Sequence, residues 1–286
     1  MARYPLSKCS KRCSEIIRLV LTREYTLDIR PWDYYGFQFK VNHFLWTIPK
    51  KKKKRTLRDP IFINTMFEKS RAEFSHLLTT FKFHKKSFVF VGMWTSDQKQ
   101  LLLETIIKKQ ENTFEDFTLG GNDGEMSNQW ILENIKVNNN FTTFAPFPQK
   151  GFIFKTCPKV LRSLDSSWIT LDTLISLGSC KVIDAKSPFL LTVTHLNSFM
   201  EMWKKDTFPN LEFLRLRGMK WKHNEMILGF TREQLSVRRE EWRYKIIDSD
   251  GYYCDRGENV QSNGGVNGTL CFDADLETVS FFVWKD

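Results

Sequence analysis

The chain has 286 residues, 41% of them hydrophobic, with 25 Phe and 9 Trp against 14 Gly and 9 Pro, which suits a packed core and excludes long disorder. Its net charge of +10 is confined to one end: residues 1–60 hold 15 of the 43 Lys/Arg and 5 of the 33 Asp/Glu, leaving 28 of each sign beyond them. A neutral body argues against a whole-domain basic face for phosphate, so nucleic acid is not an expected partner.

Apolar positions Leu6, Cys9, Cys13, Ile16, Ile17 and Val20 fall at a helical period opposite Lys8, Lys11, Glu15 and Arg18. Glu15, Glu24 and Asp28 weigh against a mitochondrial presequence, and no secretory signal is seen. The period then changes. Tyr25–Arg30 and Tyr35–Val41 alternate as strands joined through Pro31-Trp-Asp33, and Lys50–Arg55 lies in an exposed basic loop, 47–60. That run reads either as a solvated loop or as a nuclear-import signal.

Beyond Pro60 the pattern predicts helices at Phe67–Leu78, Ser96–Lys109, Ser127–Lys136 and His195–Lys204. Between them it predicts strands at Ser87–Val91, Phe114–Leu119, Phe141–Phe144, Gly151–Phe154, Cys180–Asp184 and Leu211–Leu216. Such alternation favours an α/β layer with a largely parallel sheet. Leu211-Glu-Phe-Leu214-Arg-Leu216 fits the leucine-rich-repeat pattern L-x-x-L-x-L, and Leu177–Val182 fits it loosely 34 residues earlier. A degenerate leucine-rich-repeat-like curved sheet and a conventional α/β sandwich therefore both stay open. Glu241–Ile247, Gly268–Phe272 and Val279–Trp284, separated by Gly- and Asn-rich turns, predict an antiparallel close.

Chemistry-bearing motifs are scarce. No G-x-S-x-G, G-x-x-x-x-G-K-[ST] or H-E-x-x-H occurs, and Gly120–Gly124 lacks dinucleotide-binding spacing. The five histidines show no ligand spacing with each other or with cysteine. Cys9 and Cys13 could offer two thiolates from one helix face, but zinc takes about four ligands. No catalytic, cofactor or metal site is expected, and the longest apolar runs are too short to span a bilayer.

Leu6-Ser-Lys-Cys9-Ser10-Lys11-Arg12 through Ile17 resembles the second half of an F-box. Leu191-Thr-Val-Thr-His-Leu-Asn197-Ser-Phe199-Met-Glu-Met-Trp203, followed by Pro209-Asn-Leu211-Glu212-Phe-Leu214, resembles the F-box-associated domain of the large nematode F-box family. The likeness spans roughly Trp168–Leu216, and the turn-and-strand close is similar too. It implies a non-enzymatic substrate receptor of an SCF-type cullin–RING ubiquitin ligase, in the cytoplasm or nucleus. Residues 1–22 would be a partial F-box, its first helix not in this chain, touching a Skp-type adaptor through Leu6, Cys9, Ser10, Lys11 and Arg12. Residues 23–286 would form the α/β region that recognises an unknown protein target. Asn197, Phe199, Trp203, Leu211 and Leu214 are expected to build its scaffold, with exposed aromatics and loops meeting the target. The alternative is a stand-alone interaction module that does not bind the adaptor.

Overall fold

The computed structural model describes residues 25–32, 36–41, 44–47, 68, 71–72, 75–79, 83–90, 95–120, 125–144, 151–247 and 250–285. The F-box-like stretch, with Leu6, Cys9, Ser10, Lys11 and Arg12, and the basic run Lys50–Arg55 lie outside these residues. The chain divides into two compact units between Val137 and Asn138, a boundary that falls within the region 23–286. The fold is mixed α/β, as the alternation predicts.

In the first unit, β1 (Tyr25–Trp32), β2 (Gly36–Val41) and β3 (Phe44–Thr47) form an antiparallel meander. β1 also pairs in parallel with β4 (Phe83–Phe90), which pairs in parallel with β5 (Thr113–Leu119). Between the last two runs α1 (Ser96–Lys109), started by a capping box of Thr95 and Gln98, and α2 (Glu125–Asn134) follows β5. Leu102, Leu103 and Ile106 of α1 are buried. In the strands, Phe88 and Phe117 stack at 5.9 Å between centroids, and Phe114 meets Phe117 edge-on at 5.4 Å.

β6 (Lys136–Thr143) begins two residues before the boundary, and in the second unit it runs parallel with β7 (Val160–Ser163), β8 (Val182–Lys186) and β9 (Phe213–Arg217). β14 (Thr278–Trp284) adds antiparallel to β9, then β13 (Asn267–Asp273) and β12 (Glu258–Gln261) continue the order. Helices α3 (Leu171–Ser176), α4 (Val193–Lys204) and α5 (Arg232–Ser236) each begin with a Thr side chain on the N3 amide. A separate antiparallel ribbon joins β10 (Arg238–Ile247) and β11 (Asp250–Arg256). At the exit from the ribbon Gly257 has φ +98°, and a Cβ there would sit 2.2 Å from the Leu270 carbonyl oxygen, so only glycine lets the backbone approach so closely.

Three expectations change. Gly151–Phe154 is not a strand. Its amides bond elsewhere, Gly151 N–H to Trp168 O (3.0 Å) and Phe154 N–H to Ser176 Oγ (3.3 Å), while Phe152, Phe154, Phe141 and Trp168 pack ring against ring. The apolar alternation there reflects aromatic packing, not a ladder. β6 begins at Lys136, inside the stretch expected to be helical, because the helix ends at Asn134. The first member of the 34-residue echo, Leu177–Val182, is turn and loop up to Lys181 and enters β8 only at Val182; β8 does lie beside β9, but Val182 pairs with Phe213 and Ile183 with Leu214, an offset of 31.

Candidate functional site

The register of the second unit sorts its side chains into rows. Phe141, Leu161, Ile183, Leu214, Phe281 and Leu270 are successive cross-strand partners, and all are buried. Two residues along, Thr143, Ser163, Ala185, Leu216, Val279 and Phe272 repeat this on the same face. Helix α4 covers that face, its Trp203 standing edge-on to Phe281 at 4.7 Å.

The opposite face is divided. Its first row, Val160, Val182, Phe213 and Phe282, lies under the ribbon, with the Tyr252 ring 4.2 Å from that of Phe213. The next row is polar: Thr142, Arg162, Asp184 and Arg215 are successive partners. Lys186 and Arg217 pair one step further on. Asp184 is only 4% exposed. Arg215 grips it in a two-pronged contact through Nε (3.1 Å) and Nη2, and Arg217 Nη2 reaches Oδ1 at 3.1 Å. Arg215 also lies over the Phe213 and Tyr252 rings at 5.6 and 5.3 Å. The carboxylate thus fixes two guanidiniums whose side chains remain 29% and 33% exposed. The Nε of Arg217 is buried and makes no hydrogen bond.

Lys186 is exposed and Arg162 half-buried, so four cations share these two adjacent rows with one carboxylate. Phe144, Leu164 and Phe189, just past the C-terminal ends of β6, β7 and β8, are exposed. The acidic turn Asp273–Glu277 bounds the patch on one side, where Gly218 N–H bonds Glu277 O (2.9 Å). Nothing here resembles a nucleophile with its base. Among the described residues no group of His, Cys, Asp or Glu is placed to hold a metal ion.

The residues singled out by sequence lie beneath this surface or at its margin. Asn197 Nδ2 donates to Met226 O (2.6 Å), and its Oδ1 accepts from Leu228 N–H (2.7 Å). That clasp holds a turn in which Leu228 and Gly229 have φ +51° and +83°. Phe199 packs on Phe208 at 4.4 Å, and Phe199, Trp203, Leu211 and Leu214 are buried. Arg162, Asp184, Lys186, Arg215 and Arg217 were not singled out by sequence. The signal was the strand alternation itself, since Asp184 in Val182-Ile-Asp-Ala-Lys and Arg215 and Arg217 in Phe213-Leu-Arg-Leu-Arg fall on one face.

Residues 153–216 match the family model described as F-box associated. That stretch is similar to F-box-associated domains. Nothing matches the chain among curated proteins or solved structures. The matched stretch runs from the loop before β7 to the penultimate residue of β9, and it supplies Arg162, Asp184, Lys186 and Arg215. No helix among the described residues is long and apolar enough to cross a membrane.

Proposed function

We propose that the chain is a non-enzymatic substrate-recognition subunit of an SCF-type ubiquitin ligase. In this reading a Skp-type adaptor is held through residues 1–22, and the cationic row of the F-box-associated segment receives an acidic surface of the protein target. The observation that carries the reading is the coincidence of the family match with that row. The matched residues supply Asp184 and Arg215, and Asp184 also orients Arg217, one residue past the match, so the stretch builds a pre-oriented, partly exposed pair of arginines. Arginines held in place by a buried carboxylate lose little freedom on binding, and Arg is enriched among interface hot spots. Charge complementarity selects an acidic partner.

Co-expression with a Skp-type adaptor tests the first half. Co-purification of the unmodified chain supports the ligase-subunit reading. Binding only after a complete first F-box helix is grafted before Leu6 favours the stand-alone interaction module for this chain. The second half is read on captured protein. Charge reversal at Arg162 and Lys186 should release the target by at least tenfold while leaving adaptor binding intact. Unchanged capture would remove the row from the interface.

A further inference from the structure

We propose that Cys157 and Cys180 form an oxidisable pair, in which Cys157 is attacked by a peroxide and Cys180 resolves the product to a disulfide. The two thiols come from segments stitched side by side. Lys181 N–H and Val182 N–H both bond Lys159 O, at 2.7 and 3.2 Å, which sets the start of β8 against the approach to β7. Cys180 Sγ lies 3.2 Å from Lys159 O and 3.0 Å from Val182 O, and Cys157 Sγ lies 3.4 Å from Pro158 O, so both sulfurs sit at this junction. The two thiols are close enough for each to shift the other's titration.

The pair is asymmetric. Cys180 is 1% exposed, whereas Cys157 is half-buried and reachable. The hydrogen bond from Cys180, together with the Ser179 hydroxyl and the amides of Ser179 and Cys180, favours the Cys157 thiolate. Against the opposing effect of burial, these donors bring its pKa down to about 6. Burial, first, and the charge on Cys157 keep Cys180 protonated. An accessible thiolate beside a shielded thiol is the arrangement of an attacking and a resolving cysteine.

The chemistry balances with hydrogen peroxide as oxidant. The Cys157 thiolate attacks one peroxide oxygen, the O–O bond breaks, and hydroxide leaves with a proton as water. A sulfenic acid remains on Cys157. Cys180 sulfur, losing its proton, attacks the sulfenic sulfur and the S–O bond breaks with release of a second water. Two thiols give up two electrons to one peroxide.

The molecule contains its own control. Cys254 and Cys271 also neighbour each other, in one core cluster, but both are buried. The bond to Cys254 and burial hold Cys271 well above the ordinary thiol range. Contact without exposure or thiolate character should leave that pair inert.

The test uses the full chain, folded, with one to two equivalents of hydrogen peroxide followed by alkylation, trypsin and mass spectrometry. Peptide 156–159 joined to peptide 163–181 is the expected product, with Cys254 and Cys271 still alkylatable after unfolding. Native alkylation at pH 7 should label Cys157 at least tenfold faster than Cys254, with a rate that rises around pH 6. In Cys180→Ser, Cys157 should stop at a dimedone-trapped sulfenic acid. In Cys157→Ser, Cys180 should stay reduced. If Cys157 alkylates no faster than Cys254 and no linked peptide forms, the proposal fails. Sulfenic acid on Cys157 of the unmodified chain without a disulfide would overturn the role of Cys180.

Discussion

The two faces of the β6–β9 sheet are made from alternate residues of the same short strands, yet they obey different rules. On the face under α4, two successive rows are apolar or small, and every member is buried. On the other face one apolar row lies under the β10–β11 ribbon, and the next turns abruptly to Arg162, Asp184 and Arg215. A face fully covered by a helix stripe is selected for packing, where exchanging volumes is costly. A face covered only halfway must solvate its remainder, and here it does so with arginines ordered by a buried acid. The lesson is that cover, not strand sequence alone, decides which residues can meet a partner.

The contrast breaks most visibly where the helix packs. Trp203→Ala removes the ring that stands against Phe281 and leaves a void under α4. A loss of about 3–5 kcal/mol is expected from chemical denaturation. A loss under about 1 kcal/mol would mean that α4 does not seal the face.

A buried charge without an ion-pair acid in contact sharpens the comparison. Lys86, on the same side of β4 as Phe88, is 2% exposed, bonds Glu111 O, and lies 5.4 Å from the centre of the Phe114 ring. Burial, opposed by the charge of Glu111, brings its pKa down to about 8. Between pH 8 and about 10.4 the unfolded chain holds a proton that the folded chain has released, so stability should rise with pH across that window. Below pH 8 both states are charged and the whole cost of burial persists. The rise should approach about 3 kcal/mol and vanish in Lys86→Met. Denaturation midpoints at pH 7.5 and 10 for both proteins would show it, and equal slopes would sink it.

Asp184 is the opposite case, a buried charge with two partners. Asp184→Ala leaves Arg215 and Arg217 facing each other across a half-covered face. Because both guanidiniums are partly in water, the expected loss is about 2 kcal/mol rather than the larger cost of a fully buried pair. A double-mutant cycle with Arg215→Leu should recover part of it, and strict additivity would show that the pair is not coupled.

Much of this was legible in advance. The helix expected at Ser96–Lys109 forms with those bounds, because its signals are local: Thr95 and Gln98 close a capping box, and Leu102, Leu103 and Ile106 are buried together. The Leu211–Leu216 pattern announced β9 for the same reason. β7 was missed, since Val160–Ser163 is four residues long and its partners β6 and β8 arrive only through pairing. Lys136-Val-Asn-Asn-Asn140 became strand against weak propensity: β7 pairs with it only from Asn140 onward, while Lys136 N–H bonds Asn112 O (2.9 Å) and Asn138 O accepts from Lys159 N–H (3.3 Å). The cationic row was hidden for a related reason. Arg162, Asp184 and Arg215 are 22 and 31 residues apart, with no motif between them, and only the register makes them neighbours.

Asn197 offers the smallest and most local of these tests. It sits on α4, the covering helix, yet both arms of its amide leave the helix to hold Met226 O and Leu228 N–H. Asn197→Ala removes both bonds and frees backbone groups that water can partly satisfy, so about 1–2 kcal/mol is expected. The location of the loss matters more than its size. Leu228 holds a positive φ that a non-glycine residue adopts only when its surroundings enforce it. Hydrogen exchange of the Leu228 amide should therefore accelerate far more than that of Leu214 in β9, while Asn197→Asp, keeping one acceptor, should preserve the Leu228 bond and much of its protection. Equal acceleration at both amides would mean that Asn197 supports the whole sheet, and the turn would lose its separate status.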